Sequence, residues 1–192
     1  MKTAIKVVAL VVLPSLLMIL ACQSAPQKEL DAAKAALQKA QEAEADKYAT
    51  DVYTQAKDSI AEAEGLIAQK KYGEAKQLLI SAKEVAESAI TQAKENKDNT
   101  KTEVEDFMAA IDGAMKQLHE TQASAKQWKI PDQVWLLTAE MSRWDEQYNR
   151  AKAEYAAGNY YLAKQLCAQV HQEVTQKDNQ LRDMLMAKQG KK

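Results

Sequence analysis

The chain has 192 residues, 26 basic and 27 acidic side chains, and a formal net charge of −1. This balance argues against a nucleic-acid-binding protein, which would need a clustered basic face. Two cysteines cannot form a disulfide-stabilised scaffold, and the prevalence of alanine, lysine, glutamate and glutamine is typical of long helices. The composition therefore predicts an all-α protein.

Residues 1–21 have the composition of an export signal. Lys2 and Lys6 precede an apolar run from Val7 to Leu20, which as a helix would span about 21 Å, short of the ~30 Å hydrocarbon core of a bilayer. The alternatives are an uncleaved anchor and a simple secretory signal. Removal of residues 1–21 would change the net charge from −1 to −3, because it removes two lysines and no acidic residue.

The four residues Ile19-Leu20-Ala21-Cys22 resemble the bacterial lipobox. The resemblance implies cleavage before Cys22 and acylation of Cys22, so that the membrane partner would be reached through a lipid anchor rather than a membrane-spanning helix. Gln23 follows, where an aspartate would favour retention in the inner membrane. We therefore expect attachment to the outer membrane, facing the periplasm, if the organism is Gram-negative.

After a tether over residues 22–28, apolar residues recur every three or four positions and predict a first helical hairpin over 29–98. Residues 94–103 contain no apolar side chain. They fit either a solvated helical bridge or a break at which Thr100 and Glu103 form a capping box. The periodicity resumes at Val104 and ends before Pro131, which disfavours helical geometry at Ile130.

The second helical region is predicted over 99–187, with an antiparallel hairpin at 132–187 and a basic tail at 188–192. Spacings of three and four continue from Val134 to Tyr155, and Gly158 and Asn159 predict a turn. The returning helix has the same spacing, with Lys177 in one apolar slot and Met184 in the last. This period predicts coiled-coil-like packing.

The two predicted hairpin corners share their sequence. AQKKYGEAKQLL (68–79) and AAGNYYLAKQLC (156–167) align without gaps and match at six positions, including Tyr72 with Tyr160 and Ala75 with Ala163. This similarity suggests a duplicated helix–turn–helix unit, although convergence of alanine-rich corners is the alternative.

The corners resemble the second helix of tetratricopeptide units, without the Trp-Leu-Gly pattern of those units. Residues 26–98 more closely resemble an uncharacterised family of alanine-rich bacterial lipoproteins, whose Tyr-Ala-Pro motif is followed by a Tyr-x-x-Ala corner. Tyr48-Ala49-Thr50 departs from the first motif at its third position, whereas Tyr72 to Ala75 fits the second. The resemblance implies OmpA-like or peptidoglycan-associated partners and no catalytic residues.

No catalytic, cofactor or metal site is predicted. Cys167 and His171 lie four residues apart on one helix face, but a zinc site needs three or four ligands and the only other histidine is His119. Cys167 also falls among the apolar positions of its helix, which favours a buried thiol.

The remaining candidate residues point to interactions with other molecules. Trp144 belongs to an apolar stripe, whereas Trp128 and Trp135 flank Pro131 and either pack on the preceding helix or form a surface for a protein partner. The leading hypothesis is a non-enzymatic, lipid-anchored scaffold or adaptor of the cell envelope. The alternatives are a tether joined to peptidoglycan through Lys192, and a protein that binds an apolar ligand near Met141, Met184, Leu185 and Met186.

Overall fold

The computed structural model describes residues 24–132 and 136–190. Those residues form no strand and six helices: α1 (Gln27–Glu42), α2 (Ala45–Tyr48), α3 (Thr50–Ala68), α4 (Tyr72–Gln127), α5 (Thr138–Ala156) and α6 (Tyr160–Gln189). The all-α prediction is confirmed. The described residues divide into two compact units, a first unit up to Thr91 and a second unit from Gln92.

The first unit packs α1, α3 and the beginning of α4 around a core rich in alanine. Near one end Leu30 of α1 clusters with Ile60 of α3 and Leu79 of α4. Further along, Ala36 clusters with Ala56 and Ala86. The residue numbers rise together in α1 and α4 and fall in α3, so α3 runs antiparallel to the other two helices.

The second unit has the same helix order with larger side chains in its core. The rest of α4 contributes Val104, Ile111 and Leu118, which pack against residues of α5 and α6 that include Trp144 and Cys167. Tyr155 of α5 contacts Glu105, whereas Tyr148 contacts Asp112. Because the α5 partner number falls as the α4 number rises, α5 is again the antiparallel helix.

Residues 94–103 are helical throughout, which answers the question that the sequence left open. None of these ten residues is buried, whereas Ala93 and Val104 on either side are completely buried. The Thr100 hydroxyl donates to the carbonyl oxygen of Asn96 at 2.7 Å, in the preceding turn of the same helix. The hydroxyl of Thr100 thus bonds within a continuing helix, as threonine hydroxyls commonly do.

The α3–α4 and α5–α6 turns have the same backbone hydrogen bonds. The N–H of Lys71 donates to the carbonyl oxygen of Leu66 at 2.9 Å, and the N–H of Asn159 donates to that of Glu154, also at 2.9 Å. The preceding residues, Lys70 and Gly158, both have positive φ, +60° and +81°. This 6→1 bond next to a left-handed residue is the Schellman motif, which ends a helix and reverses the chain.

The two units correspond when 88 is added to the residue numbers of the first. This offset aligns α3 with α5 and the start of α4 with α6. α3 and α5 both have 19 residues, and both begin with threonine. Seven buried positions correspond: 56 with 144, 60 with 148, 63 with 151, 75 with 163, 79 with 167, 82 with 170 and 86 with 174. The two units are therefore structural repeats in helix length, turn and buried positions, which extends the similarity well beyond the corner sequences.

Beyond Val174 the predicted apolar stripe of α6 is wrong at Lys177 and Met184, whereas Leu181 is buried as predicted. Asp178 and Leu185 are buried, at 5% and 7% exposure, whereas the predicted Lys177 is only half-buried and Met184 is exposed. From Cys167 to Asp178 the buried face advances by 11 residues in three turns. An α-helix that does not supercoil follows this spacing more closely than a seven-residue repeat.

Substitutions at Gly158 and at the equivalent Lys70 should change the free energy of unfolding in opposite directions. A Cβ on Gly158 would meet no atom within 4 Å, so Gly158→Ala should act through the positive φ alone and lower the free energy of unfolding by about 1 kcal/mol. Lys70→Gly removes that strain and should raise the free energy of unfolding by up to about 1 kcal/mol. Urea denaturation followed by circular dichroism measures both changes.

Ala157→Gly is the matched control, because Ala157 has an ordinary φ of −77°. Glycine there gains nothing from a left-handed conformation and should destabilise the turn. Changes of the same sign for Gly158→Ala and Lys70→Gly would contradict the assigned turn geometry.

Candidate interaction surface

Three of the four predicted site residues, Cys22, Trp135 and Lys192, lie outside the described residues. Lipid attachment at Cys22 and peptidoglycan attachment at Lys192 therefore stay predictions. Trp128 is described, and it lies in the turn that follows α4. The candidate surface is built from this turn and from the parts of the second unit that meet it.

The turn after α4 is a third Schellman-type reversal. The N–H of Ile130 donates to the carbonyl oxygen of Ala125 at 3.0 Å, and Lys129 between them has φ +53°. This reversal turns Ile130 back onto a small apolar cluster with Ala125, Leu181 and Leu185. The backbone geometry thus joins the end of α4 to the last turns of α6.

Trp128 is half-buried and packs against this cluster. The Lys188 side chain strengthens the junction, because its Nζ donates to the carbonyl oxygen of Lys129 at 2.6 Å. Trp128 therefore has one covered face on its own protein and a remaining part open to solvent. This position is compatible with both roles that the sequence left open for Trp128, which are packing on the preceding helix and forming a surface for a protein partner.

Exposed apolar side chains concentrate at the same end of the second unit. Leu136, Met184 and Met186 are 59%, 48% and 60% exposed. Leu136 precedes α5, whereas the two methionines flank the buried Leu185. We refer to Trp128, Leu136, Met184 and Met186 as the apolar end. Exposed flexible methionines and a tryptophan are residue types that suit a protein-binding surface.

Tyrosine hydroxyls attach α5 to the neighbouring α4 helix. The hydroxyl of Tyr148 donates to the Asp112 carboxylate, with a 3.0 Å separation, and lies 3.1 Å from the carbonyl oxygen of Met108. Burial raises the pKa of Tyr148, and the bond to Asp112 raises it further. A hydrogen bond to Glu105 raises the pKa of Tyr155 to about 12. Both phenols remain protonated at neutral pH and serve as donors.

The Glu173 carboxylate of α6 joins two side chains of α5. Trp144 Nε1 donates to its Oε2 at 2.8 Å, and the Arg143 guanidinium lies 2.6 Å from the same oxygen. Gln169 donates to the other carboxylate oxygen at 3.0 Å. The bonds from Gln169 and Trp144, with the charge of Arg143, hold the pKa of Glu173 below its ordinary value. These contacts fix the indole of Trp144 in the core.

Asp178 is a buried charged residue that the sequence analysis missed. Its Oδ2 accepts from Arg182 Nε at 2.9 Å. Its other oxygen, Oδ1, is buried and accepts no hydrogen bond from the described residues. The only signal in the sequence is the 11-residue spacing from Cys167, which places Asp178 on the buried face.

Cys167 and His171 occupy different surroundings despite their shared helix face. Cys167 is completely buried, and this burial raises the pKa of its thiol. His171 is half-buried and meets Phe107 edge to face, with 6.1 Å between the ring centroids. No group of three metal-ligating side chains occurs in residues 24–132 and 136–190. Cys167 packs in the core of the second unit, and His171 packs against Phe107.

The four residues predicted to line an apolar ligand site are distributed over separate parts of the second unit. Met141 packs on the core of the second unit, which includes Ile111 and Leu118, and its sulfur lies 3.7 Å from the Gln122 side-chain nitrogen. Leu185 belongs to the cluster beneath Trp128, and Met184 and Met186 are exposed. A separate open groove of about 520 Å³ lies beside Phe107 and His171, with charged residues at its edge.

Comparison with known proteins identifies a domain over the first helical region. Residues 28–104 match a family model described as a domain of unknown function (DUF4398). This match confirms the predicted uncharacterised domain over α1, α2, α3 and the first part of α4. No curated protein and no solved structure matches the chain. Within the described residues, no helix is both long and apolar enough to cross a membrane.

The Glu173 contacts predict a dependence of stability on pH. The pKa of Glu173 is lower in the folded than in the unfolded state, where it is about 4.3. The charged carboxylate therefore stabilises the second unit at pH values above about 4.3. That contribution is lost as the pH falls through the folded value. Glu173→Gln should lower the free energy of unfolding by about 1–2 kcal/mol at pH 7, and the difference from wild type should shrink upon acidification.

Urea denaturation between pH 7 and pH 3, followed by tryptophan fluorescence, measures this effect because all three tryptophans lie after residue 92. Glu146→Gln, at an exposed position of α5, provides a control for the removal of one negative charge. A constant difference between wild type and Glu173→Gln across the pH range would rule out the proposed role of the carboxylate.

Proposed function

We propose that the protein is a lipid-anchored scaffold or adaptor of the bacterial cell envelope. Its second unit would bind a protein partner through the apolar end. The observation that carries this proposal is that Leu136, Met184 and Met186 are exposed at the end of the second unit where the half-buried Trp128 packs on Leu181 and Leu185. Three of the five exposed large hydrophobic side chains of the described residues lie there.

The structure of the apolar end supports binding by a preformed surface. Ile130 and Leu185 are buried beneath it, and the bond from Lys188 to the Lys129 carbonyl holds the turn against α6. A partner would therefore cover side chains whose backbone is already ordered. This arrangement lowers the entropic cost of association.

The proposed attachment at Cys22 rests on the lipobox and on the short apolar run before it. Two or more acyl chains give stable anchoring, whereas a single chain binds reversibly. Attachment to the outer membrane would present the helices to the periplasm. The proposed partner is an OmpA-like or other peptidoglycan-associated protein, as the family resemblance implies, and the proposal includes no catalytic activity.

Lipid attachment predicts a change in both mass and location when the cysteine is replaced. Wild-type protein purified from bacterial membranes should begin at residue 22 and carry the added mass of acyl chains. Cys22→Ala should lack that mass and lose the acyl-dependent membrane attachment. Intact-protein mass spectrometry and membrane flotation measure the two properties. A wild-type protein that keeps residues 1–21 and carries no acyl chain would disprove the anchor.

Partner binding predicts crosslinks at the apolar end. A photoreactive amino acid placed in cells at Trp128, Met184 or Met186 should give a discrete protein adduct. Ile80 is the matched control, since it is an exposed apolar residue, 39% accessible, on the first unit. Met184→Ser combined with Met186→Ser should abolish the adduct at Trp128 and change the free energy of unfolding by only about 0.5 kcal/mol, since both side chains are exposed.

Adducts at Ile80 as abundant as those at the apolar end would indicate non-specific contact. The absence of any protein adduct, together with a measurable catalytic activity of the purified protein, would overturn the scaffold function.

A further inference from the structure

One end of the first unit combines the start of α1 with the α3–α4 turn. Residues 24–29 share an open cavity of about 590 Å³ with Tyr72, Gly73 and Lys76. Lys70 and Lys71 immediately precede Tyr72 in the chain. The α3–α4 turn and the start of the described chain therefore lie side by side.

This end carries four lysines, Lys28, Lys70, Lys71 and Lys76, which we call the lysine end. Lys28, Lys70 and Lys71 are exposed, and the Lys76 side chain is 52% exposed. Two acidic residues, Glu29 and Glu74, lie among them. Glu29 pairs with Lys76 at 3.0 Å, so two positive charges remain in excess.

The opposite end of the first unit has the reverse charge. The region from the end of α1 to the start of α3 contains four acidic residues and two lysines: Glu42, Glu44, Asp46, Asp51, Lys39 and Lys47. Lys47 is paired with Glu44 at 2.8 Å. The first unit is therefore positive at the lysine end and negative at the other end.

The turn geometry does not require these lysines. At the equivalent positions the second unit has Gly158 and Asn159, which readily adopt turn conformations. Lys70 instead adopts φ +60°, where glycine would avoid the steric cost of a Cβ. The turn at 158–159 thus forms the same backbone hydrogen bonds without a lysine. Turn formation therefore does not explain why Lys70 and Lys71 are present.

The lysine end is also the end nearest to the proposed lipid anchor. Cys22 precedes Ser24 by two residues, a covalent separation of at most about 7 Å. An acyl chain on Cys22 would therefore hold the start of α1 close to the bilayer surface. The adjacent α3–α4 turn would be held at the same surface.

We propose that the lysine end binds the headgroups of anionic phospholipids and orients the first unit on the membrane. This inference rests on the proposed anchor at Cys22. The anchor supplies attachment, whereas the lysines select the end of the unit that faces the lipid. Lysines near an anionic surface are attracted within about a Debye length, so contact depends on both lipid charge and salt.

The test uses the full-length lipidated protein in vesicles of phosphatidylcholine alone or of equal parts phosphatidylcholine and phosphatidylglycerol. Trace labelling with a water-soluble amine reagent, resolved by mass spectrometry, gives a rate for each lysine. The four lysines of the lysine end should react about fivefold more slowly on anionic vesicles. The difference should disappear at about 1 M salt, where the Debye length is ~3 Å. Exposed Lys101 and Lys116 of the second unit provide internal references.

The variant Lys70→Gly combined with Lys71→Asn gives this turn the residues of the second unit. It should fold, because those residues form the same turn at 158–159, and it should lose the slowing at Lys28 and Lys76. Lys101→Gln combined with Lys116→Gln removes the same charge and should retain the slowing.

Equal labelling rates on the two kinds of vesicle, or equal slowing on both, would overturn the inference. Slowing only when soluble peptidoglycan fragments are added would also overturn it and favour an acidic cell-wall peptide as the partner. Failure of the anchor gives a different result, since a protein without acyl mass on Cys22 would not float with phosphatidylcholine vesicles.

Discussion

The stability of each unit depends on the burial of a narrow apolar stripe on each of its helices. A helix cannot bury its own stripe, so neighbouring helices must cover it. Along α1, α3 and α6 about one residue per turn or fewer is buried, and most of the remaining surface is polar. A helix with such a stripe gains most of its stability from neighbouring helices rather than from its own propensity. The Schellman turns bring those neighbours together, because they reverse the chain within three residues and align the stripes of consecutive helices.

The two repeats use the same backbone plan for different cores. The positions of Ala56 and Ala86 in the first unit correspond to Trp144 and Val174 in the second. The small side chains favour close helix contacts, whereas the larger ones require polar contacts such as those of Trp144 with Glu173 and Tyr148 with Asp112. The known family domain covers the first repeat and extends only to residue 104, so most of the second repeat is recognised by its structure.

The helices were largely predictable from the sequence because the three- and four-residue spacing directly reflects helix geometry. The turn at Gly158 and most core residues, including Trp144 and Cys167, are as expected. In α6 the prediction was right at Leu181 but failed at Lys177 and Met184, because the buried face shifts to Asp178 and Leu185 instead of following a seven-residue period. The exposure of Met184 and Met186 was also unpredictable, because it depends on which residues of α6 meet α4.

Cys167 shows what this packing means for the chemistry of the chain. Its thiol is completely enclosed by the second unit, and a raised pKa reduces the thiolate fraction that reacts with oxidants or disulfides. In oxidising surroundings the residue would therefore survive unpaired for as long as the helices stay closed. The fraction of molecules with an oxidised Cys167 would then measure the extent to which the second unit had opened.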